Sequence, residues 1–131
     1  MRWVLPLVVA SVALLSSPAT ASWVRVKTDS DNNIYSVDVD LIEGRGRFRY
    51  FWSNILFGKP NNTEAGQLAY SAVYYLSVDC KDKLYRLRFK QLLDENNKTI
   101  QEYNYGEDAG LVAPNPGSSA EASIKFVCSR R

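Results

Sequence analysis

Few side chains in this sequence could do chemistry, and their types limit what the protein could catalyse. Histidine is absent from all 131 residues, which excludes serine or cysteine catalysis through an imidazole base. Close pairs of carboxylates include Asp38 with Asp40 and Asp94 with Glu95. The first pair falls on the polar side of a predicted strand and the second in a predicted turn. Neither position has the buried setting that shifts the pKa of a general acid, so we expect no enzymatic activity.

The sequence predicts neither a cofactor nor a metal. It contains no glycine-rich phosphate loop. Residues 29–33 have the D-x-D-x-N spacing that opens a calcium loop, but Ile34 stands where that loop needs glycine. Asp40 stands at the twelfth position, where the loop has glutamate. We interpret residues 29–33 as a turn.

Two basic stripes are the candidate binding residues. Strict alternation predicts one stripe on each of two strands, and places Phe48, Tyr50 and Trp52 opposite the first stripe. One interpretation is a site for a glycan or an anionic partner. The other is a solvated, salt-bridged sheet face, in which Asp38 and Asp40 oppose the first stripe across a hairpin. The six candidates are Arg45, Arg47, Arg49, Arg86, Arg88 and Lys90.

A tyrosine-rich run offers a second candidate site. Tyr70, Tyr74 and Tyr75 could form an aromatic patch for a sugar or another small molecule. Packing within the sheet is the alternative, because aromatic residues are enriched in strands.

The first 21 residues have the pattern of a signal peptide. Arg2 precedes an apolar run, and Ala19-Thr20-Ala21 forms an A-x-A cleavage site. The apolar run is shorter than the roughly 20 residues of a spanning helix, and no cysteine near the cut could carry a lipid. We therefore expect an exported chain without a stable membrane anchor, located in the periplasm, on the cell surface or in the medium.

The remaining residues, 22–131, are enough for one domain. They carry 15 basic and 14 acidic side chains, a balance that argues against a nucleic-acid partner. The only cysteines are Cys80 and Cys128, and two cysteines in an exported chain predict a disulfide. No histidine or third cysteine exists to complete a metal site with them.

The hydrophobic pattern predicts an antiparallel α+β domain of about six strands with one C-terminal helix. Period-two alternation marks the strands, and residues 54–66 and 106–116 are predicted loops. The last segment fits a strand or a helix on periodicity alone, but Ser118 and Glu121 form a capping box that favours a helix. The predicted strands cover residues 23–28, 34–41, 45–52, 68–80, 85–90 and 99–105.

Several short motifs, in this order and spacing, resemble the surface-adhesin protein E family of bacterial exported domains. The resemblance spans nearly all of residues 22–131. The motifs are Trp23-Val24, Tyr35-x-x-Asp38, the aromatic strand ending at Trp52, Asp79-Cys80, and Pro116-Gly117-Ser118 leading into a helix that ends at Cys128.

The resemblance implies a sheet of about six strands packed by a C-terminal helix, with a disulfide joining strand to helix. Characterised relatives are adhesins that bind extracellular-matrix and plasma proteins of the host and can dimerise. We therefore expect an exported, non-enzymatic binding module. The alternative is a periplasmic or envelope domain, structural or small-ligand-binding, with no host partner.

Overall fold

The computed structural model describes residues 22–130, so the predicted signal peptide at residues 1–21 lies outside the described range. Within that range no helix combines the length and the apolar character needed to cross a bilayer. The elements are strands β1 (Trp23–Thr28), β2 (Ile34–Asp38), β3 (Glu43–Arg45), β4 (Phe48–Asn62), β5 (Leu68–Asp79), β6 (Leu84–Leu93) and β7 (Thr99–Asn104), a single-turn 3-10 helix (Val39–Leu41) and helix α1 (Ser119–Ser129).

All these strands join one antiparallel sheet. Its order is β1-β2-β4-β5-β6-β7, and β3 pairs with the first residues of β4. The long strands β4 and β5 pair with each other at the centre of the sheet. The predicted fold class, an antiparallel sheet with a C-terminal helix, is confirmed.

The hydrophobic core lies between one face of the sheet and α1. Alternate residues of a strand point to the same face, and on this face Val37, Phe51 and Val78 are fully buried. Ile124 and Val127, three residues apart on α1, pack against them. We call the opposite side of the sheet the open face, because the α-helix of the described chain packs only on the core side.

The C-terminal helix begins where the capping box predicts. The Ser118 hydroxyl accepts a hydrogen bond from the Glu121 backbone N–H at 3.2 Å. The Glu121 carboxylate accepts in return from the Gly117 N–H at 2.9 Å, one residue before the cap itself. Both bonds satisfy N–H groups that a helix start leaves free or exposed, and the predicted helix is confirmed.

A disulfide joins Cys80, at the end of β5, to Cys128 in the last turn of α1. The two Cα atoms are 5.6 Å apart, and the bond closes a loop with a sequence separation of 48 residues. The predicted disulfide is confirmed, and it fixes α1 to the central strands.

The prediction of a loop over residues 54–66 is wrong, because β4 continues to Asn62. Its pairing with β5 is irregular between Leu56 and Asn61, and Gly58 and Pro60 lie inside that irregular stretch. A Cβ atom on Gly58 would lie 2.2 Å from the backbone oxygen of Asp31, so only glycine fits there without a shift. Turn-forming residues therefore mark an irregularity within the strand instead of its end.

The alternative in which residues 34–41 and 45–52 form a hairpin is not the observed pairing. Strand β2 pairs with the later part of β4, with Val37 opposite Ser53, and the arginine-bearing start of β4 pairs with β3. Asp38 is buried and accepts a hydrogen bond from the Asp40 N–H at 3.0 Å, which ends the strand and begins the 3-10 helix. Asp40 accepts from the Ser22 hydroxyl, so neither aspartate opposes an arginine.

Candidate functional site

The first basic stripe is divided among three environments, so the prediction that it shares one face is wrong. Arg45 is the last residue of β3, Arg47 lies in the tight turn that follows, and Arg49 is in β4. The turn, with Gly46 at φ +63°, reverses the chain between Arg45 and Arg49. A period of two therefore does not run through these residues.

Arg47 has a structural role. Its Nε donates to both carboxylate oxygens of Asp79 at 2.9 Å, and its guanidinium also contacts Asp82 at 2.7 Å. These hydrogen bonds from Arg47 lower the pKa of the Asp79 carboxyl to about 2, against an ordinary value of 3.8. Arg47 thus joins the β3–β4 turn to the β5–β6 turn.

Arg49 also has a structural role, on the core side of the sheet. Its Nη1 donates to the backbone oxygens of Val127 at 3.0 Å and Arg130 at 2.7 Å. Carbonyl groups at a helix C-terminus lack partners within the helix and carry partial negative charge. Arg49 satisfies two carbonyls at the C-terminal end of α1 and is therefore not available to a partner.

Arg45 instead belongs to a set of side chains on the open face that we call the arginine–aromatic cluster. Its guanidinium carbon lies 4.3 Å from the centroid of the Tyr50 ring, and that of Arg88 lies 5.0 Å from the same ring. Such distances give favourable cation–π contacts. The members of the cluster are Arg45, Tyr50, Trp52, Tyr75, Arg88 and Phe89.

The aromatic members form a continuous row across three strands. Trp52 of β4 lies opposite Tyr75 of β5, which lies opposite Phe89 of β6. Ring centroids are 4.7 Å apart for Trp52 and Tyr75 and 5.9 Å apart for Trp52 and Phe89. The rings are half-buried by one another and by their neighbours. A partner would meet a preformed apolar surface with cations at its edge.

The second basic stripe divides between the two faces. The β5–β6 register shifts next to Arg88, between the pairs Tyr75–Phe89 and Leu76–Leu87, which keeps Arg86 and Arg88 on the open face. Lys90 lies opposite Tyr74 on the core side, 5.6 Å from the Tyr103 ring. Because of this irregularity, the prediction that all three share a face is wrong.

A single carboxylate, that of Glu107, pairs with both Arg86 and Arg88. Glu107 Oε1 accepts from Arg86 Nη1 at 3.0 Å, and Glu107 Oε2 accepts from Arg88 Nη1 at 2.7 Å. The hydrogen bond from Arg88 is the main reason that the pKa of the Glu107 carboxyl is lowered from its usual value. The sequence gives no signal for this contact, because Glu107 lies in a loop without periodicity.

The three tyrosines do not form one patch. Tyr74 and Tyr75 are adjacent in β5 and point to opposite faces, and only Tyr75 joins the arginine–aromatic cluster. Tyr74 lines a cavity of about 230 Å³ between the sheet and the first turns of α1. Tyr70 is exposed and contributes to neither.

That cavity is apolar with a rim of hydroxyl groups. Its walls include Phe51, Leu76 and Ile124, and Tyr35 lies at its edge, where its hydroxyl donates to Asp29 at 2.9 Å. Burial raises the pKa of Tyr74, so its phenol stays neutral. The cavity suits a small uncharged molecule.

The predicted turn at residues 29–33 is present. One carboxylate oxygen of Asp29 accepts from the backbone N–H groups of Asp31 at 2.9 Å and Asn33 at 3.0 Å. These bonds to Asp29 stabilise the turn. Within residues 22–130, no group of three acidic, cysteine or histidine side chains is arranged to hold a metal ion.

Comparison with known proteins gives a family and a set of solved structures. The model of the family described as surface-adhesin protein E matches residues 23–129. The chain superposes on the structure of Haemophilus influenzae protein E with a TM-score of 0.59 and 12% identity, over 86% of this chain and 88% of that one. A second crystal form of that protein gives a TM-score of 0.60 and 11% identity, over 86% of this chain and 91% of that one. No curated protein sequence matches the chain.

Proposed function

The chain belongs to the surface-adhesin protein E family, and from this we propose that it is an exported, non-enzymatic module that binds extracellular-matrix or plasma proteins of a host through its open face. Residues 1–21 are, in this proposal, the signal peptide, and residues 22–131 are the exported domain. The arginine–aromatic cluster is the observation that supports the open face as the binding surface.

The composition of the cluster supports protein binding. Tryptophan, tyrosine and arginine are the side chains that contribute most often and most strongly at protein interfaces. The cluster brings Trp52, Tyr50 and Arg88 together on a rigid sheet, so ordering them on binding costs little conformational entropy. On the core face, by contrast, α1 packs over Val37, Phe51 and Val78, and its disulfide holds it there.

The predicted binding residues are revised by this geometry. The proposal retains Arg45, Arg86 and Arg88, which lie on or beside the cluster. It drops Arg47 and Arg49, whose guanidinium groups hold Asp79 and the end of α1. Lys90, on the core side, is dropped as well.

Alanine and glutamine variants with matched controls test the surface. Trp52→Ala and Arg45→Gln are compared with Trp23→Ala and Arg25→Gln, which change the same residue types on the edge strand β1, outside the cluster. We expect Trp52→Ala to weaken binding to immobilised vitronectin or laminin about tenfold or more, the effect of losing a central interface aromatic. Arg45→Gln should weaken it less, and the controls should bind like wild type.

Binding is measured by surface plasmon resonance with the exported protein, and heparin is included as an anionic glycan. A thermal melt of each variant confirms that the fold is retained. If Trp52→Ala and Trp23→Ala bind every target equally well, the open face is not the binding surface. If the protein is found only in the periplasm on cell fractionation, the proposal of host contact fails and the alternative of an envelope domain replaces it.

Because relatives in the family can dimerise, we also propose that this chain forms a homodimer. Strand β7 is an edge of the sheet, with one side free of strand partners in the described chain. A free edge offers backbone N–H and C=O groups that a second copy can pair with. Light scattering over a range of concentrations should give a dimer mass, and a constant monomer mass would remove this part of the proposal.

The cavity beneath α1 favours a second candidate, the binding of a small molecule. Engineered apolar cavities of about 150 Å³ bind benzene, so a cavity of about 230 Å³ has room for a somewhat larger ring system. Its neutral hydroxyl groups favour an uncharged ligand with one polar end. Titration with indole tests this candidate: a concentration-dependent rise in melting temperature supports it, and an unchanged melt contradicts it.

A further inference from the structure

Arg86 and Arg88 are charged groups that lie largely beneath the surface. Their side chains are 19% and 15% exposed, whereas the Glu107 side chain that pairs with both is 74% exposed. Buried charges require a partner of opposite sign. In the described chain that partner is a side chain at the surface, on a loop, and not a group of the sheet.

The contacts with Glu107 leave part of the two guanidinium groups unused. Arg86 donates through Nη1 to the Glu107 carboxylate and backbone oxygen, and its buried Nε has no hydrogen-bond partner in residues 22–130. Arg88 donates through Nε to the Ser77 hydroxyl at 2.8 Å and through Nη1 to Glu107. A guanidinium carries more N–H donors than these bonds use, and it prefers a carboxylate that takes two of them in parallel.

The loop that carries Glu107 is held independently of its carboxylate. The backbone N–H groups of Tyr105 and Gly106 both donate to the Arg88 backbone oxygen, at 2.8 and 3.1 Å. The Asp108 N–H closes the turn on the Tyr105 oxygen at 2.8 Å. The Glu107 side chain can therefore leave the arginines by rotating into solvent while the loop backbone stays in place.

We propose that Arg86 and Arg88 form a binding site for a carboxylate of an acidic protein segment, and that Glu107 occupies this site in the free protein as an internal substitute. The present occupant is itself a carboxylate, which identifies the chemistry of the ligand. Arg88 also lies against Tyr50, so the bound segment would lie beside the arginine–aromatic cluster. The inference rests on the proposed function, because it assigns the partner's chemistry at the same face.

The test measures binding of a fluorescein-labelled hexaglutamate peptide to the full exported protein at low salt. Glu107→Gln removes the competing charge and keeps the size of the side chain. Asp108→Asn is the matched control, because it neutralises the neighbouring exposed carboxylate, for which no contact with either arginine is present. We expect Glu107→Gln to bind two- to fivefold more tightly than wild type, the factor expected when a competing carboxylate at the surface is removed. Asp108→Asn should bind like wild type.

A double variant and a salt titration test whether the arginines themselves bind the peptide. Arg88→Gln in the Glu107→Gln background should abolish the gain, and binding should fall between 50 and 300 mM salt, a range on the order of the ionic strengths that screen exposed charges. If Arg88→Gln does not fold, the comparison of Glu107→Gln with Asp108→Asn decides alone.

Equal binding by wild type and Glu107→Gln, or no binding of the peptide by either, would overturn the inference. Tighter binding of heparin but not of hexaglutamate would overturn it in favour of a sulfated glycan. The proposed function is tested separately by the loss of vitronectin and laminin binding in Trp52→Ala, so failure of one does not imply failure of the other.

Discussion

Removing the disulfide between Cys80 and Cys128 should destabilise the domain strongly. The double variant Cys80→Ser/Cys128→Ser removes the bond without leaving a reactive thiol. In the chain-entropy model, closing a loop with a sequence separation of 48 residues stabilises the native state by about 4 kcal/mol at 25 °C. The expected loss of unfolding free energy is therefore about 4 kcal/mol.

The packing of α1 explains why this loss should affect the whole domain. The helix has 11 residues, fewer than the roughly 12–15 that an isolated helix needs for even marginal stability in water. Its Ile124 and Val127 side chains complete the core around Phe51. A helix released from β5 would expose that core, so helix and sheet should unfold together.

For a domain of this size, 1 kcal/mol corresponds to a shift of about 4 °C in melting temperature, so the double variant should melt about 15 °C lower. Circular dichroism melts of both proteins measure the shift. Wild type with its disulfide reduced should melt near the variant, which controls for the effect of the serines. A variant that melts within about 3 °C of oxidised wild type would show that the disulfide contributes little to stability.

Three further predictions concern local contacts. Ser118→Ala should cost about 1 kcal/mol in urea unfolding, since it removes the hydroxyl that caps α1; an unchanged midpoint would show that the cap is dispensable. Gly58→Ala should cost about 1–3 kcal/mol, because its Cβ would lie 2.2 Å from a backbone oxygen, whereas Gly110→Ala has open space and should cost little. The pKa of Asp79 is about 2 in the folded protein and 3.8 ordinarily, so its pairing with Arg47 stabilises the fold above about pH 4 and is lost as the pH falls towards 2. Arg47→Gln should flatten that acid loss in unfolding measured from pH 5 to 2, and an identical pH profile would contradict the assignment.

Local signals in the sequence were sufficient to predict the helix and the β6–β7 hairpin. The capping residues Ser118 and Glu121 are three positions apart, and each accepts a hydrogen bond from a backbone N–H group within four residues. The sequence pattern alone therefore predicts this helix start. The loop between β6 and β7 is similar: the Asp94 N–H donates to the Lys98 oxygen at 2.9 Å within one short turn. Contacts of this kind depend on neighbouring residues alone.

The arginines could not be assigned to faces from the sequence, because irregularities between the strands decide their positions. A tight turn separates Arg45 from Arg49, and the shift in β5–β6 pairing keeps Arg88 on the open face. A period-two pattern assumes an unbroken strand, so it predicts neither the turn nor the shift in pairing. Alternation correctly placed Tyr50 and Trp52 on one side of a strand, so the sequence predicted the shared face of two of the six cluster residues.

We propose that a host protein contacts the open face, and site-specific photo-crosslinking tests this contact. Tyr75, within the arginine–aromatic cluster, is replaced by p-benzoylphenylalanine, and Lys125, exposed on α1, is replaced by the same residue in a second protein. Each protein is irradiated with vitronectin or laminin, and the covalent adduct is quantified by gel electrophoresis. If the partner binds the open face, an adduct forms from position 75 and none forms from position 125. An adduct from position 125 with none from position 75 would contradict the proposed contact.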